Sequence, residues 1–406
     1  MNAGYSSYIR LKSGKEFRFG EITLPPSKSE SHRALMIAAY GGFATDFQNL
    51  SDSNDTRVMM DALRAVQQKA STINIADCGT AARFLTTYLS GREGDWFLTG
   101  TERMKQRPIK PLVDALRALG ADIQYAENEG FLSLYIKGRQ IEGGNVGVDM
   151  SQSSQFASSL LLAAPMWTQG IELELFGTLN SFPYLMMTVA MMRHFGAVVE
   201  CVERKIRVEA HPYQFKTFQV SSDWTAASYW YEMAALSEEC EIRLRGLCDM
   251  SVNQQEENRL IIPSFQGDAI IAEWMRLLGV CTTAYEGGVV LTKVPFERNP
   301  LSFDFSNHPD LYPTMAATCA GLGCEARFTG LDNLHIKESD RVEAMETELG
   351  KIGNRPIRFC AHNDHRIVMA LAPLSLRFGP VAFDFPEVVE KSYPDFWKDA
   401  GFLLIR

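Results

Sequence analysis

Apolar residues recur along this chain with two different accents. In one set, a helix-spaced apolar run is opened by polar or charged residues: Ser31–Tyr40, Thr80–Ser90, Gln155–Ala164, Thr225–Ser237, Pro313–Gly321 and His365–Phe378. In the other, an amphipathic pattern, often closed by glycine, leads toward a β-branched segment: Val58–Gln68, Pro111–Gly120, Tyr184–Gly196, Asp268–Gly279, Val342–Gly350 and a degenerate Pro394–Ala400. Helical spacing of apolar positions predicts helices with a buried face, and a glycine just beyond the last one is the expected cap. Short strands are predicted between them, among them Phe131–Ile136, Ile171–Leu175 and Ile242–Leu244. The two patterns alternate, six of each, with uneven spacing that excludes a simple solenoid. Divided into threes, these irregular βα repeats predict an α/β protein of two similar domains.

The residues that open the first helix set carry most of the functional signal. They are Lys28, Ser29 and Arg33; Gly79, Thr80 and Arg83; Ser153, Ser154 and Gln155; Asp223 and Trp224; Asp310 and Pro313; and Asp364, His365 and Arg366. Capping alone accounts for Asp223 and Thr225. It does not account for Lys28, Arg33, Arg83 and Arg366, because a helix N-terminus disfavours cations unless an anion is also present. The stretch Leu24–Arg33 is the densest case: two prolines end an extended segment, and a surface-facing helix start follows, with Ser29 as its expected cap. If these helices run parallel within each domain, their N-termini converge on a face that attracts anions.

Composition narrows the ligand. At 406 residues the chain is long for one core, and 46% apolar with 22% charged residues describes a soluble globular protein. No run reaches membrane-spanning length, and the first residues have no apolar signal core, so a cytoplasmic location is expected. The eight cysteines are scattered without a CxxC pair and read as reduced thiols, with no cluster at metal-ligand spacing. A net charge of −9 argues against a nucleic-acid partner and makes any basic site a local pocket for a small anion.

Further stretches fit such a pocket. Arg103–Pro108 places three cations before a helix. In Asn333–Arg341, Ser339 is the expected cap of the following helix, and Lys337 beside Glu338 makes an adjacent acid/base pair. Asn363–Arg366 and Glu390–Pro394 add His365, Arg366 and Lys391, and Asp310 stands in a loop before a helix, a suitable place for a general base.

Together these segments resemble the 5-enolpyruvylshikimate-3-phosphate synthase family. The resemblance rests on LPPSKSESHRA, DCGTAARF, RMKQRPI, GGNVGVDMSQSSQF, NSFPY, NHPD, NLHIKESDR, NDHRIVMA and EKSYPDF, which follow the family order from residue 24 to 396. It implies two domains, each of three βαβαββ units, with the active site in the cleft between them, and transfer of an enolpyruvyl group from phosphoenolpyruvate to the 5-hydroxyl of shikimate-3-phosphate. Residues 1–25 with 222–406 are expected to form one domain and 26–221 the other.

Carried over by position, the family's phosphoenolpyruvate contacts are Lys28, Gly79, Arg107, Gln155, Arg341, Arg366 and Lys391. Its shikimate-3-phosphate contacts are Lys28, Ser29, Arg33, Ser153, Ser154, Gln155, Ser181, Asp310, Asn333 and Lys337, with Tyr184 lining the same pocket. The resemblance makes Asp310 the base and Glu338 the proton donor, with Lys28 and Lys337 stabilising charge, and implies no metal or organic cofactor. Two phosphates and two carboxylates meet in such a site, so many cations are required to offset their repulsion. The expected partners are these two small molecules, acting on a monomer.

Four residues depart from the family pattern: Asp77 and Cys78 precede Gly79, Pro26 precedes Ser27, and Phe84 follows Arg83. None removes a matched ligand, but together they bear on the shape around the phosphoenolpyruvate phosphate. The related UDP-N-acetylglucosamine enolpyruvyl transferases carry Lys-Asn where Lys28 and Ser29 stand, and a loop cysteine. The corresponding segment here, Glu102–Pro108, has no cysteine. A catalytically inactive anion-binding protein of the same fold is the other alternative.

Overall fold

The computed structural model describes residues 8–11, 16–42, 47–247 and 264–405. Its contacts divide the chain into two compact units, Lys28–Val220 and Met1–Ser27 together with Ser221–Arg406.

The unit Lys28–Val220 is built from a repeated supersecondary pattern. Strand Thr72–Asn74 crosses over through helix Gly79–Ser90 to pair in parallel with Gly94–Thr99. Helix Lys110–Ala118 then leads to the hairpin Asp122–Tyr125 and Leu134–Gly138, which adds antiparallel to the same sheet. The next segment repeats the order. Gly144–Asp149, helix Ser154–Ala163 and Ile171–Phe176 form a parallel crossover, and helix Phe182–His194 leads to the antiparallel strands Val199–Val202 and Lys205–Val208. Each is a βαβαββ unit with a four-stranded sheet. Helices Lys28–Gly41 and Asn54–Gln67 complete the helical complement of this unit.

In the other unit, strand Glu16–Thr23 pairs in parallel with Glu239–Arg245, and the hairpin Val280–Tyr285 and Gly288–Lys293 completes the sheet. Leu301–Asp304 and Ala326–Thr329 form a parallel pair across helix Tyr312–Leu322. Ile357–Phe359 pairs with Val381–Phe383, and Tyr8–Leu11 lies between Val381–Phe383 and Phe402–Ile405. The N-terminal strand thus fills a place in the last repeat, which ties the two chain ends to one sheet.

The two helix accents have a structural meaning. Helices of the first set are interior: in Ser154–Ala163 every residue except Gln155 is buried, and all of Trp224–Leu236 is buried. Helices of the second set cover them from outside. Lys110–Ala118 buries Leu112, Val113, Ala115 and Leu116 and leaves its polar positions to water. Part of the candidate set, Lys28, Ser29, Gly79, Ser153, Ser154, Gln155 and Arg366, lies at the openings of interior helices.

Several local expectations are corrected. Helix Lys28–Gly41 begins one residue before Ser29, so Ser29 lies inside the first turn rather than capping it. Asp340, not Ser339, caps Arg341–Leu349, accepting from the Val342 and Glu343 amides, because a carboxylate offers two acceptors to orphan N–H groups. The helix expected over His365–Phe378 ends at Leu371, continues as a 3-10 turn through Pro373 and resumes at Ser375, since proline cannot donate within a helix. The one expected over Asp268–Gly279 opens as a 3-10 turn, Gly267–Ile270, and is α-helical only over Ile271–Arg276. Seven cysteines are free thiols, and Cys248 lies outside the described residues. Among the described residues, no helix is long and apolar enough to cross a membrane.

Candidate active site

In the unit Lys28–Val220, the start of helix Lys28–Gly41 is less exposed than expected. The Lys28 side chain is 15% exposed, and its Nζ lies 2.9 Å from Oδ2 of the buried Asp55. One turn on, Arg33 is buried, and its guanidinium donates to neutral acceptors: Nε to Thr188 Oγ1 at 2.7 Å, Nη1 to the Ser29 carbonyl and Nη2 to the Tyr184 carbonyl, both at 2.9 Å. Burial lowers its pKa to about 10, opposed by Tyr184 and Glu30, so it remains cationic at neutral pH. A buried cation whose hydrogen-bond partners are all neutral is poorly compensated, and an anion beside it relieves that cost. His32, between Lys28 and Arg33, is held neutral: burial depresses its pKa to about 3, and the two neighbouring cations act in the same direction against Asp55.

Tyr184 and Ser181 belong to the start of helix Phe182–His194. Ser181 has φ 57°, a left-handed conformation that a non-glycine residue adopts only where its surroundings fix it. Its carbonyl accepts from the Tyr184 amide at 3.1 Å.

A second cationic corner forms around Gly79. A Cβ at this position would lie 2.6 Å from Arg107 Nη1 and 2.7 Å from Arg83 Nη1, so any larger residue would displace the guanidiniums from their present positions. Arg83 donates to the Gly79 carbonyl at 2.9 Å and the Pro108 carbonyl at 3.1 Å, which fixes the loop carrying Arg107. Two like charges over one helix start favour an anion between them. Gln155 Nε2 reaches Thr80 Oγ1 at 3.1 Å, and Ser153 caps the Gln155 amide at 3.2 Å, with Ser154 buried beside it. Arg83 was absent from the carried-over ligand set; its signal in the sequence was a position one helical turn after Gly79. Cys78, one of the departures from the family pattern, caps helix Gly79–Ser90 through Sγ, which accepts from the Ala81 amide at 3.5 Å.

In the other unit, three carboxylates converge on one arginine. Arg341 Nη1 donates to Asp310 Oδ1, Nη2 to Glu338 Oε2 and Nε to Asp364 Oδ2, each at 2.8 Å. Arg366 Nη2 donates to the second Asp310 oxygen at 2.6 Å. Burial alone would raise the Asp310 pKa, but the Arg366 and Arg341 charges, helped by Lys337, hold it well below the ordinary carboxylate range. Burial likewise acts to lower the Arg341 pKa, and Asp364, Glu338 and Asp310 together push it above its ordinary value. Asp364 also caps helix His365–Leu371 at the Arg366 amide and accepts from Ser339 Oγ at 3.1 Å. It is the hub that the sequence reading used only as a helix opener. Asn333 is buried, and its side-chain amide makes no hydrogen bond among the described residues, a costly state that a ligand would relieve. Lys391 is buried at the end of the 3-10 turn Pro386–Lys391.

The structure thus joins Asp310, Glu338, Arg341 and Arg366 in one ion-paired cluster, with Lys337 close enough to act on Asp310. In the first unit it joins Lys28 to Asp55, Ser29, Arg33 and Tyr184 to one another, and Gly79 to Arg107.

The fold is that of the enolpyruvyl transferases. An EPSP synthase from Acinetobacter baumannii aligns with a TM-score of 0.72 over 98% of this chain and 100% of its own, at 22% identity. The enolpyruvyl transferase NikO from Streptomyces tendae aligns with a TM-score of 0.69 over 98% of this chain and 99% of its own, at 13% identity.

Sequence comparison is more specific. A family profile described as EPSP synthase (3-phosphoshikimate 1-carboxyvinyltransferase) matches residues 18–358. The 3-phosphoshikimate 1-carboxyvinyltransferase of Bacteroides fragilis is 42% identical over 94% of this chain and 95% of its own length. That of Haemophilus influenzae is 34% identical over 95% and 97%. The chain belongs to the EPSP synthase family.

Proposed function

We propose that this chain transfers the enolpyruvyl group of phosphoenolpyruvate to the 5-hydroxyl of shikimate-3-phosphate and releases phosphate by addition–elimination. Family membership over nearly the whole chain carries this reading. In it, Arg33, Ser29, Ser153, Ser154, Gln155, Ser181, Asn333 and Lys337 bind shikimate-3-phosphate, and Gly79, Arg107, Gln155, Arg341, Arg366 and Lys391 bind phosphoenolpyruvate. Lys28 serves both substrates.

Asp310 takes the proton of the attacking hydroxyl, Glu338 supplies the proton to C3 of phosphoenolpyruvate, and Lys28 and Lys337 offset the developing charge. The oxygen attacks C2, and loss of phosphate from the tetrahedral adduct, together with return of a C3 methyl proton to the Glu338 carboxylate, restores the double bond. The ion pairs give this sequence a trigger. While Arg341 and Arg366 hold Asp310, it is a weak base; a substrate anion that engages those arginines weakens both pairs and returns proton affinity to the carboxylate.

The test is phosphate release from phosphoenolpyruvate with shikimate-3-phosphate or UDP-N-acetylglucosamine as acceptor. Turnover with the first alone is expected. Turnover with the second alone would assign the chain to the related transferase, and none with either would leave an anion-binding protein.

A further inference from the structure

The turn that delivers Asp364 and Arg366 is strained. Between strand Ile357–Phe359 and helix His365–Leu371, His362 has φ 49° and Asn363 φ 52°, two successive non-glycine residues in the left-handed region. Such a conformation persists in a non-glycine residue only where neighbouring contacts over-determine it. Here those contacts come from helix Arg341–Leu349. Its Glu348, fully buried as the penultimate residue of the helix, accepts from His362 Nε2 at 2.8 Å through Oε1. Its Oε2 accepts from the Cys360 amide at 2.9 Å and from Lys351 Nζ at 2.6 Å. One carboxylate therefore grips the turn at Cys360 and at His362, and Asp384 Oδ1 holds the Ala361 amide between them at 2.7 Å.

We propose that Glu348 and His362 are positioning residues that set Asp364 and Arg366 relative to Arg341. The same nine-residue helix carries Arg341 at its first position and Glu348 near its last. The arginine meets Asp364 directly, while the glutamate fixes the turn that feeds Asp364 and Arg366 into their own helix. Two attachments about 10 Å apart along a rigid rod define the orientation of that turn, where one would leave it free to pivot. Neither Glu348 nor His362 is assigned to a substrate, so their effect is transmitted through Arg366.

This inference rests on the proposed role of Arg366 in holding phosphoenolpyruvate. His362→Asn keeps a residue that tolerates left-handed φ but is too short to reach Glu348. His362→Gln retains a donor of similar reach. In His362→Asn, hydrogen exchange at the Ala361 and Asp364 amides is expected to speed up at least tenfold, with the interior helix Trp224–Leu236 unchanged. The Michaelis constant for phosphoenolpyruvate is expected to rise about tenfold while that for shikimate-3-phosphate changes less than threefold. His362→Gln is expected to recover both readouts to within about threefold of wild type. Unchanged exchange in His362→Asn would overturn the clamp. So would faster exchange with both Michaelis constants unmoved, or an equal loss for both substrates that glutamine does not rescue. An inactive wild-type protein would instead overturn the functional reading, while the exchange result would still decide whether the clamp holds the turn.

Discussion

Asp310 and Glu338, the two carboxylates proposed to move protons, are bridged by one guanidinium: Arg341 Nη1 and Nη2 lie 2.8 Å from Asp310 Oδ1 and Glu338 Oε2. Asp310→Asn preserves shape and removes the base, so kcat is expected to fall at least a hundredfold, with a much smaller change in the Michaelis constant for phosphoenolpyruvate. A change confined to the Michaelis constant would make Asp310 a binding residue only. The substitution also has a pH signature. Because the folded-state pKa lies below the ordinary 3.8, the ionised group stabilises the fold above that value and loses its contribution as pH falls below it. Urea unfolding is therefore expected to show the full wild-type advantage near pH 6 and a shrinking one below about pH 4.

Lys28, proposed to serve both substrates, also pairs with a buried carboxylate. Lys28→Met is expected to reduce turnover by more than a hundredfold and also to destabilise the fold by roughly 3 kcal/mol, because Asp55 is left buried beside an apolar side chain. Lys28→Met with Asp55→Asn separates the two effects. Thermal melting should recover in the double variant while activity does not, and a parallel recovery of activity would confine Lys28 to a structural role.

Thr188 tests the orientation of Arg33. Its hydroxyl accepts from Arg33 Nε at 2.7 Å and lies 3.0 Å from Ser158 Oγ. Thr188→Val keeps the volume and removes the acceptor, so the Michaelis constant for shikimate-3-phosphate is expected to rise about tenfold, in line with a lost hydrogen bond to a charged group. Thr188→Ser should restore it. A fall in melting temperature without a kinetic change would limit Thr188 to packing.

Glu232 concerns stability alone. It is fully buried in helix Trp224–Leu236, its carboxyl oxygens make no hydrogen bond among the described residues, and burial raises its pKa well above the ordinary 4.5. The folded state binds the proton more tightly than the unfolded one, so the group weakens the fold progressively as pH rises above its unfolded pKa. The slope is about 1.4 kcal/mol per pH unit until the folded-state pKa is reached. Glu232→Gln removes that dependence. Its unfolding free energy relative to wild type is expected to improve between about pH 5 and pH 8, and a constant difference across that range would contradict the assignment.

Much of the fold was legible because each helix type has its own burial pattern. Interior helices such as Ser154–Ala163 are buried on all sides and carry their large polar residues at their openings, whereas covering helices such as Lys110–Ala118 show one apolar stripe. Boundaries were less legible where several polar residues competed for one role. Ser339 and Asp340 are both capable caps, and only the position of Asp364 assigns Ser339 to it and leaves Asp340 to the helix.

For the site, the sequence by itself determined which side chains are present, and through the family motifs the positions that bear on two anionic substrates. Tertiary structure decided how those charges are compensated. That Lys28 pairs with Asp55, that Arg33 hydrogen-bonds neutral groups, and that Arg341 holds three carboxylates depend on contacts between residues from 23 to 155 positions apart, Ser29 and Glu338 excepted. Charge sequence cannot specify such pairings, because burial and distance set the strength of an ion pair and both arise only when separate helix starts are packed together. The strained turn at His362 belongs to the same class: nothing local requires its left-handed residues, and the buried Glu348 that grips it comes from another helix.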